Sequence, residues 1–264
     1  MSDRLDQLRS PSEEVRRAAI AESAGNSDGE VVRALVQHLS DDVLSESERQ
    51  LAAESLGQCT LPEISAILLP LLVSESAFSR TMAAAGLGGQ QNAAVIQALV
   101  RGLTDPVNTV RNWSERSLLG MIPAVQQYGV EALIGLLSHE VRLSRSPAAR
   151  VLGLTRDARA LAPLMHMARE DQDWLARMAA IKALGDLGDA QAIELVTHSL
   201  QSDPKNRVRA AAAEAIGKLR PENAEPLLRT ALETDADEGV QKSAGEALSS
   251  LGFDVSEIND DGWE

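Results

Sequence analysis

The chain has 264 residues, 44% of them hydrophobic but only 2% aromatic, and a formal net charge of −14. That length buries a large core, which has to be built from Ala, Leu, Ile and Val and so favours close helix packing over sheet. The acidic balance weighs against general nucleic-acid binding, which draws on basic charge, and against docking on an anionic membrane; a local basic groove stays open, because net charge does not describe its distribution.

The N-terminal text MSDRLDQLRS has acids and no apolar run, so it does not read as a secretory signal. No stretch is long and apolar enough to span a bilayer. Cys59 is the only cysteine; it offers no internal disulfide and no cysteine cluster for a metal, and a reducing, cytoplasmic setting is expected.

Taken in order, the chain is punctuated by Gly25, Gly57, Gly88, Gly120, Gly153, Gly185 and Gly217, with Ser249 in the eighth place, at intervals of 31 to 33 residues. Self-similarity at such a period is the mark of a repeat architecture. Each landmark is expected to end a helix through a left-handed cap. Eight residues earlier stand Arg17, Arg49, Arg80, Asn112, Arg145, Arg177, Arg209 and Gln241. Five residues earlier stand Ile20, Ala52, Ala83, Glu115, Ala148, Ala180, Ala212 and Ala244, mostly small enough to let helices approach closely. After the landmarks a second apolar face begins at Leu35, Leu68, Leu99, Leu133, Leu164, Val196 and Leu228, with a further apolar residue usually four later, which is one side of a helix. Each unit is thus a helix–turn–helix that cannot bury its apolar face alone, and stacking the units buries a continuous core.

The text DWLARMAAIKALGDLGDAQAIELV, echoed by NRVRAAAAEAIGKLRPENAEPLL, resembles the HEAT-repeat family, particularly the short bacterial HEAT-like repeats also found in phycobilin lyases. The resemblance covers about residues 1–252. It implies an all-α fold, a right-handed α-solenoid of about eight helical hairpins, followed by an acidic tail over 253–264. It also implies that acids near the inter-repeat turns (Asp42, Asp105, Asp171, Asp173, Asp203 and Asp235) pair with the recurring arginine or cap a helix. On this reading Arg49, Arg80, Arg145, Arg177 and Arg209, with Gly57, Gly88, Gly153, Gly185 and Gly217, are structural.

Departures from the repeat are the better functional candidates, because the regular positions already answer to stacking. Repeat four has Asn112 and Glu115 where arginine and a small residue recur, with Trp113 beside them, and its turn is lengthened by MIPAVQQYGV, which carries Pro123 and Tyr128. Trp113 and Tyr128 either fill a gap made by their own insertion or anchor a partner. In HEAT arrays the second helices line the concave face, which here places Arg33 with Gln37, Ala66 with Pro70, Gln97 with Arg101, Glu131 with Gly135, Ala162 with His166, Glu194 with His198, and Pro226 with Thr230 toward a groove. His166 and His198 share one register of adjacent repeats; they are either plain polar surface or neighbours that meet a shared ligand or form a pH-sensitive patch. A basic island around Arg101 and the histidines is one form the groove can take. The tail, FDVSEINDDGWE, is either a soluble terminus or a segment that docks through Phe253 and Trp263.

Chemistry is sparse. HEAT-like deoxyhypusine hydroxylases bind iron through several His–Glu pairs, whereas this chain has only His139–Glu140. HEAT-like DNA glycosylases use a basic groove with aromatics and an acid; Trp113 and Trp174 permit the idea and the net charge opposes it. No phosphate-binding GxxxxGK[ST] loop and no GxSxG elbow is present, and nothing in sequence activates Cys59. The expectation is a non-catalytic scaffold or adaptor without cofactor or metal. It would bind another protein through its concave face, a basic partner surface matching the acidic balance, with no membrane or nucleic acid expected as partner, as an assembly or maturation factor. The alternative implied by the resemblance is a phycobilin-lyase-like handler of tetrapyrroles, and a HEAT-like DNA glycosylase ranks below it.

Overall fold

Every regular element among the described residues of the computed structural model (2–39, 41 and 43–255) is helical. Two compact units divide the chain, Met1–Ala132 and Leu133–Glu264. The first holds α1 (Ser2–Leu8), α2 (Glu13–Ala21), α3 (Gly29–Leu39), α4 (Glu46–Leu56), α5 (Glu63–Leu68), α6 (Ala77–Gly86), α7 (Ala93–Gly102), α8 (Asn108–Leu119) and α9 (Ile122–Tyr128). Helix α10 (Val130–Leu136) runs through the division. The second unit continues with α11 (Arg142–Thr155), α12 (Leu161–Glu170), α13 (Trp174–Leu187), α14 (Ile193–Ser202), α15 (Asn206–Leu219), α16 (Ala224–Thr234) and α17 (Glu238–Leu251).

Within each unit the helices form two layers. In the first, α2, α4, α6 and α8 pack in sequence as the first helices of their repeats, and α3 and α7 lie against α4 and α8. In the second, α11, α13, α15 and α17 stack likewise, with α12, α14 and α16 against α13, α15 and α17. Local chemistry starts the helices where they begin: Ser45 and Glu48 form a capping box on α4, and Ser76, Asn92, Asp173 and Asp237 cap α6, α7, α13 and α17 through side-chain oxygens. Pro70 falls in a short 3-10 segment, Leu69–Val73, that replaces the continuation of α5. The predicted second-helix column, Leu35, Leu68, Leu99, Leu133, Leu164, Val196 and Leu228, is wholly buried.

The landmark glycines have a different task from the one expected. Gly57 ends α4 with an ordinary right-handed φ of −62°, while Gly153, Gly185 and Gly217 lie inside α11, α13 and α15. Their smallness serves close approach. A Cβ on Gly57 would stand 2.5 Å from the Ala85 carbonyl oxygen, on Gly153 2.6 Å from Ala183 Cα, and on Gly185 2.9 Å from Ala215 Cβ. Gly25 alone among the landmarks is left-handed (φ 72°). In the second unit the left-handed caps come three residues after the landmark, at Arg156, Gly188, Arg220 and Gly252.

Two repeats also run one residue out of the expected register. In repeat one Arg16, not Arg17, turns back to the carbonyl six residues earlier (Ser10, 2.8 Å), and in repeat four Arg111 does so (Asp105, 2.7 Å) where Asn112 was expected to be the odd member. Arg80, Arg145, Arg177 and Arg209 make the same reach, and Gln241 makes it to Asp235 at 2.7 Å. Three residues on from Arg16 and Arg111 stand Ala19 and Ser114, at 1% and 0% exposure; Ile20 beside Ala19 is buried as well, whereas Glu115 is half-buried. Repeat four therefore keeps the arginine and the small residue. Its insertion is no long turn either: Pro123 sits in the first turn of α9, which packs on α7 and α8.

At the C-terminal end the Phe253 N–H donates to the Leu248 carbonyl (3.0 Å) and the Asp254 carbonyl accepts from Arg229 Nη2 (3.2 Å). Trp263 and the expected partner acid Asp42 lie outside the described residues.

Candidate partner-binding face

The arginine column closes the turns between repeats. Arg80 Nε and Nη2 donate to Asp105 at 2.7 and 3.1 Å, Arg177 to Asp203 at 2.9 and 3.0 Å, and Arg209 to Asp235 at 2.8 and 2.9 Å. Arg145 meets Asp171 at 2.7 Å, and Arg16 meets the buried Glu48 at 2.8 Å. These pairs are shielded from solvent, which strengthens them relative to surface pairs. Hydrogen bonding to Asp203 pushes Arg177 above the ordinary guanidinium value, against the opposing effect of burial. Arg49 instead carries its guanidinium 4.4 Å from the Phe78 ring centre.

In the second unit three of these pairs form the floors of successive depressions along the second helices. Around Arg145 and Asp171 lies one of about 440 Å³, walled by Ile134, Leu137, Pro163, His166 and Met167. Around Arg177 and Asp203 the wall is polar, with His198, Ser199 and Ser202. Around Arg209 and Asp235 it carries Thr230 and Thr234. The repeat sets the spacing, and the residue at each register position sets the chemistry, so the depressions differ along the face: apolar walls at Arg145, polar ones at Arg177, and Leu200, Leu227 and Ala231 beside the threonines at Arg209.

His166 and His198 are both exposed and line adjacent depressions, which share Glu170, Asp171 and Gln172. They are not brought into one pocket, and no cluster of three or more His, Cys, Asp or Glu suited to a metal occurs among the described residues. His139 Nδ1 accepts the Val141 N–H at 3.1 Å, at the turn before α11.

In the first unit Arg101 is exposed in the last turn of α7. Trp113 is half-buried on α8, with the Arg116 guanidinium 4.6 Å from its ring centre, in a small depression with Gly57 and Gly88 at the ends of the first helices. Tyr128 is half-buried at the end of α9, where its carbonyl accepts from Gln97 Nε2. Trp113 lines that depression and Tyr128 does not. Trp174 starts α13 with Lys205 Nζ 5.1 Å and Arg207 5.7 Å from its ring.

The HEAT repeats family matches residues 43–119, 130–217 and 200–258. The chain belongs to the HEAT-repeat family. Among solved structures, Escherichia coli YibA is similar at 20% identity and a TM-score of 0.51, over 94% of this chain and 92% of that one. Importin beta is similar at 13% identity and 0.60, over 95% of this chain and 40% of its own. Kap95p, whose binding acts on the switch loops of RanGDP, is similar at 14% identity and 0.58, over 95% and 39%. At these identities the likeness is one of fold. No curated protein matches the sequence. Among the described residues no helix is long and apolar enough to cross a membrane.

Sequence reasoning had pointed to the HEAT groove register, and the residues it named there are exposed apart from the half-buried Gln97. It missed the walls of the depressions, Ile134, Leu137, Pro163 and Met167, because they come from two separate segments and read singly as core.

Proposed function

We propose that this HEAT-repeat chain is a non-catalytic scaffold that grips a partner protein on the second-helix face of its second unit. The observation that carries the reading is the depression at His166. Ile134, Leu137, Pro163 and Met167 wall an opening sized for an apolar side chain, and His166 and Glu170 give it a polar rim. An anchor residue in a pocket with polar surroundings is the usual energetic centre of a protein interface. The net charge of −14 favours a partner with a basic surface and speeds its approach. Kap95p, of the same fold, binds RanGDP. His198 extends the candidate contact surface, Arg101, Trp113 and Tyr128 are separate candidate contacts within the first unit, and an assembly or maturation role in the cytoplasm fits a chain whose only thiol is free and buried.

The test is to purify the partner from the native host with the full chain as bait and then measure the affinity of the purified pair. His166→Asp with Ile134→Asp is expected to weaken binding about tenfold or more, as loss of an anchor does, with helix content unchanged. An unaltered affinity in that variant removes this face from consideration.

A further inference from the structure

At the C-terminal ends of the first helices in the second unit, two arginines hold a backbone conformation that side chains seldom adopt. Arg156 and Arg220 are left-handed, at φ 52° and 50°. Glycine stands in the same place in the alternate repeats, at Gly188 and Gly252. A Cβ on Gly188 or Gly252 would meet nothing within 4 Å, so space does not select the residue type there. A cation does favour a helix C-terminus, yet α13 and α17 end on glycine without one.

Both arginines are exposed, and neither guanidinium has a hydrogen-bond or ion-pair partner among the described residues. Both line one groove of about 670 Å³ that crosses the ends of α13, α15 and α17. The carboxylates lining that groove are already matched by lysines: Asp186 with Lys218 at 2.6 Å, Glu214 with Lys182 at 2.8 Å, and Glu246 with Lys242 at 3.8 Å. Two guanidinium charges are left over, on a chain whose net charge is −14. Backbone strain that returns no internal contact points to an external one.

We propose that this groove binds an acidic peptide segment of a partner protein, with Arg156 and Arg220 each taking a carboxylate in a forked pair. The two stand two repeats apart. At about 8–10 Å per packed helix, that span corresponds to roughly five or six residues of extended peptide. The site lies on the first helices and does not depend on the His166 face, so either can fail without the other.

The probe is fluorescein-labelled octaglutamate, followed by fluorescence anisotropy with the full chain at low salt. Saturable binding is expected, weakened about tenfold or more in R156G/R220G, the loss that follows removal of two charge-assisted contacts. Glycine is relaxed at these positions, so the double variant is expected to melt no lower than the parent, which separates lost binding from lost fold. Equal binding by R156G/R220G, or no saturable binding at millimolar protein, overturns the proposal. Tighter binding of a labelled octathymidylate than of octaglutamate overturns it too, because the groove would then favour phosphate over carboxylate.

Discussion

Arg177 and Asp203, 26 residues apart, meet through two parallel hydrogen bonds, Nε to Oδ2 at 2.9 Å and Nη2 to Oδ1 at 3.0 Å. The remaining Arg177 nitrogen, Nη1, donates to the Asp171 carbonyl at 3.0 Å, and Asp203 Oδ1 also accepts the Lys205 N–H at 2.8 Å. One pair thereby closes the turn before its own helix and the turn before the next. Arg177→Ala leaves Asp203 shielded without its counter-charge, and a loss of about 3 kcal/mol is expected. Arg177→Lys restores the charge but not the fork and is expected to recover only part of it. Urea unfolding measures both; an alanine variant within about 0.5 kcal/mol of the parent would class the pair with ordinary surface pairs.

Acid should loosen the array. Hydrogen bonds from Arg209 hold the Asp235 carboxyl below its ordinary value, against burial. At Asp105 and Glu48 burial pulls upward, and the hydrogen bonds from Arg80 and the Val107 N–H, and from Arg16 and Ser45, more than offset it. A carboxyl whose folded pKa lies below its unfolded one contributes stability that is present above the unfolded value, about 4, and is lost as pH falls through the folded value. These groups are therefore expected to add no slope to the melting temperature above about pH 5 and a decline below about pH 4. Asp235→Asn should melt lower at neutral pH and show a shallower acid decline; an unchanged acid limb would exclude Asp235 as a contributor.

The two glycine roles separate by substitution. Gly153→Ala gains roughly 1 kcal/mol of helix propensity. It also drives a methyl to 2.6 Å from Ala183 Cα and 2.8 Å from its carbonyl oxygen, backbone atoms that cannot swing aside. Overpacking of about 1–3 kcal/mol is expected to win. Gly188→Ala meets no atom within 4 Å and loses only about 1 kcal/mol to its left-handed backbone. Thermal unfolding should rank Gly153→Ala below Gly188→Ala, and the reverse order would show that α11 and α13 separate easily at that point.

Cys59 has no exposed surface, its Sγ lies 3.3 Å from the Ser55 carbonyl oxygen, and burial pushes its thiol up. The thiolate is the reactive form. The folded chain is expected to leave a disulfide-exchange reagent unreacted at pH 8 and to consume one equivalent on unfolding. Prompt reaction of the folded chain would mean that the turn after α4 opens readily.

The period of the chain, its all-helical class and its wholly buried second-helix column follow from the sequence alone. In a repeat array each unit packs mainly on its neighbours, so one pattern repeats every few tens of residues and declares itself along the chain. The sequence also determined which register positions on α12, α14 and α16 face outward, because helical period fixes a side. It did not determine why the landmark residue is small. Gly153 and Gly188 look equally suited to a cap, and only the approach of Ala183 tells a contact glycine from a left-handed one. The sequence also put Arg17 in the column where the structure puts Arg16, its identical neighbour; the rotation of α2 against α4 turns Arg16 toward Glu48 and Arg17 toward Ser47. The depression at His166 and the groove of Arg156 and Arg220 likewise belong to tertiary structure, since each gathers side chains from separate repeats, and what gathers them is packing between helices rather than order along the chain.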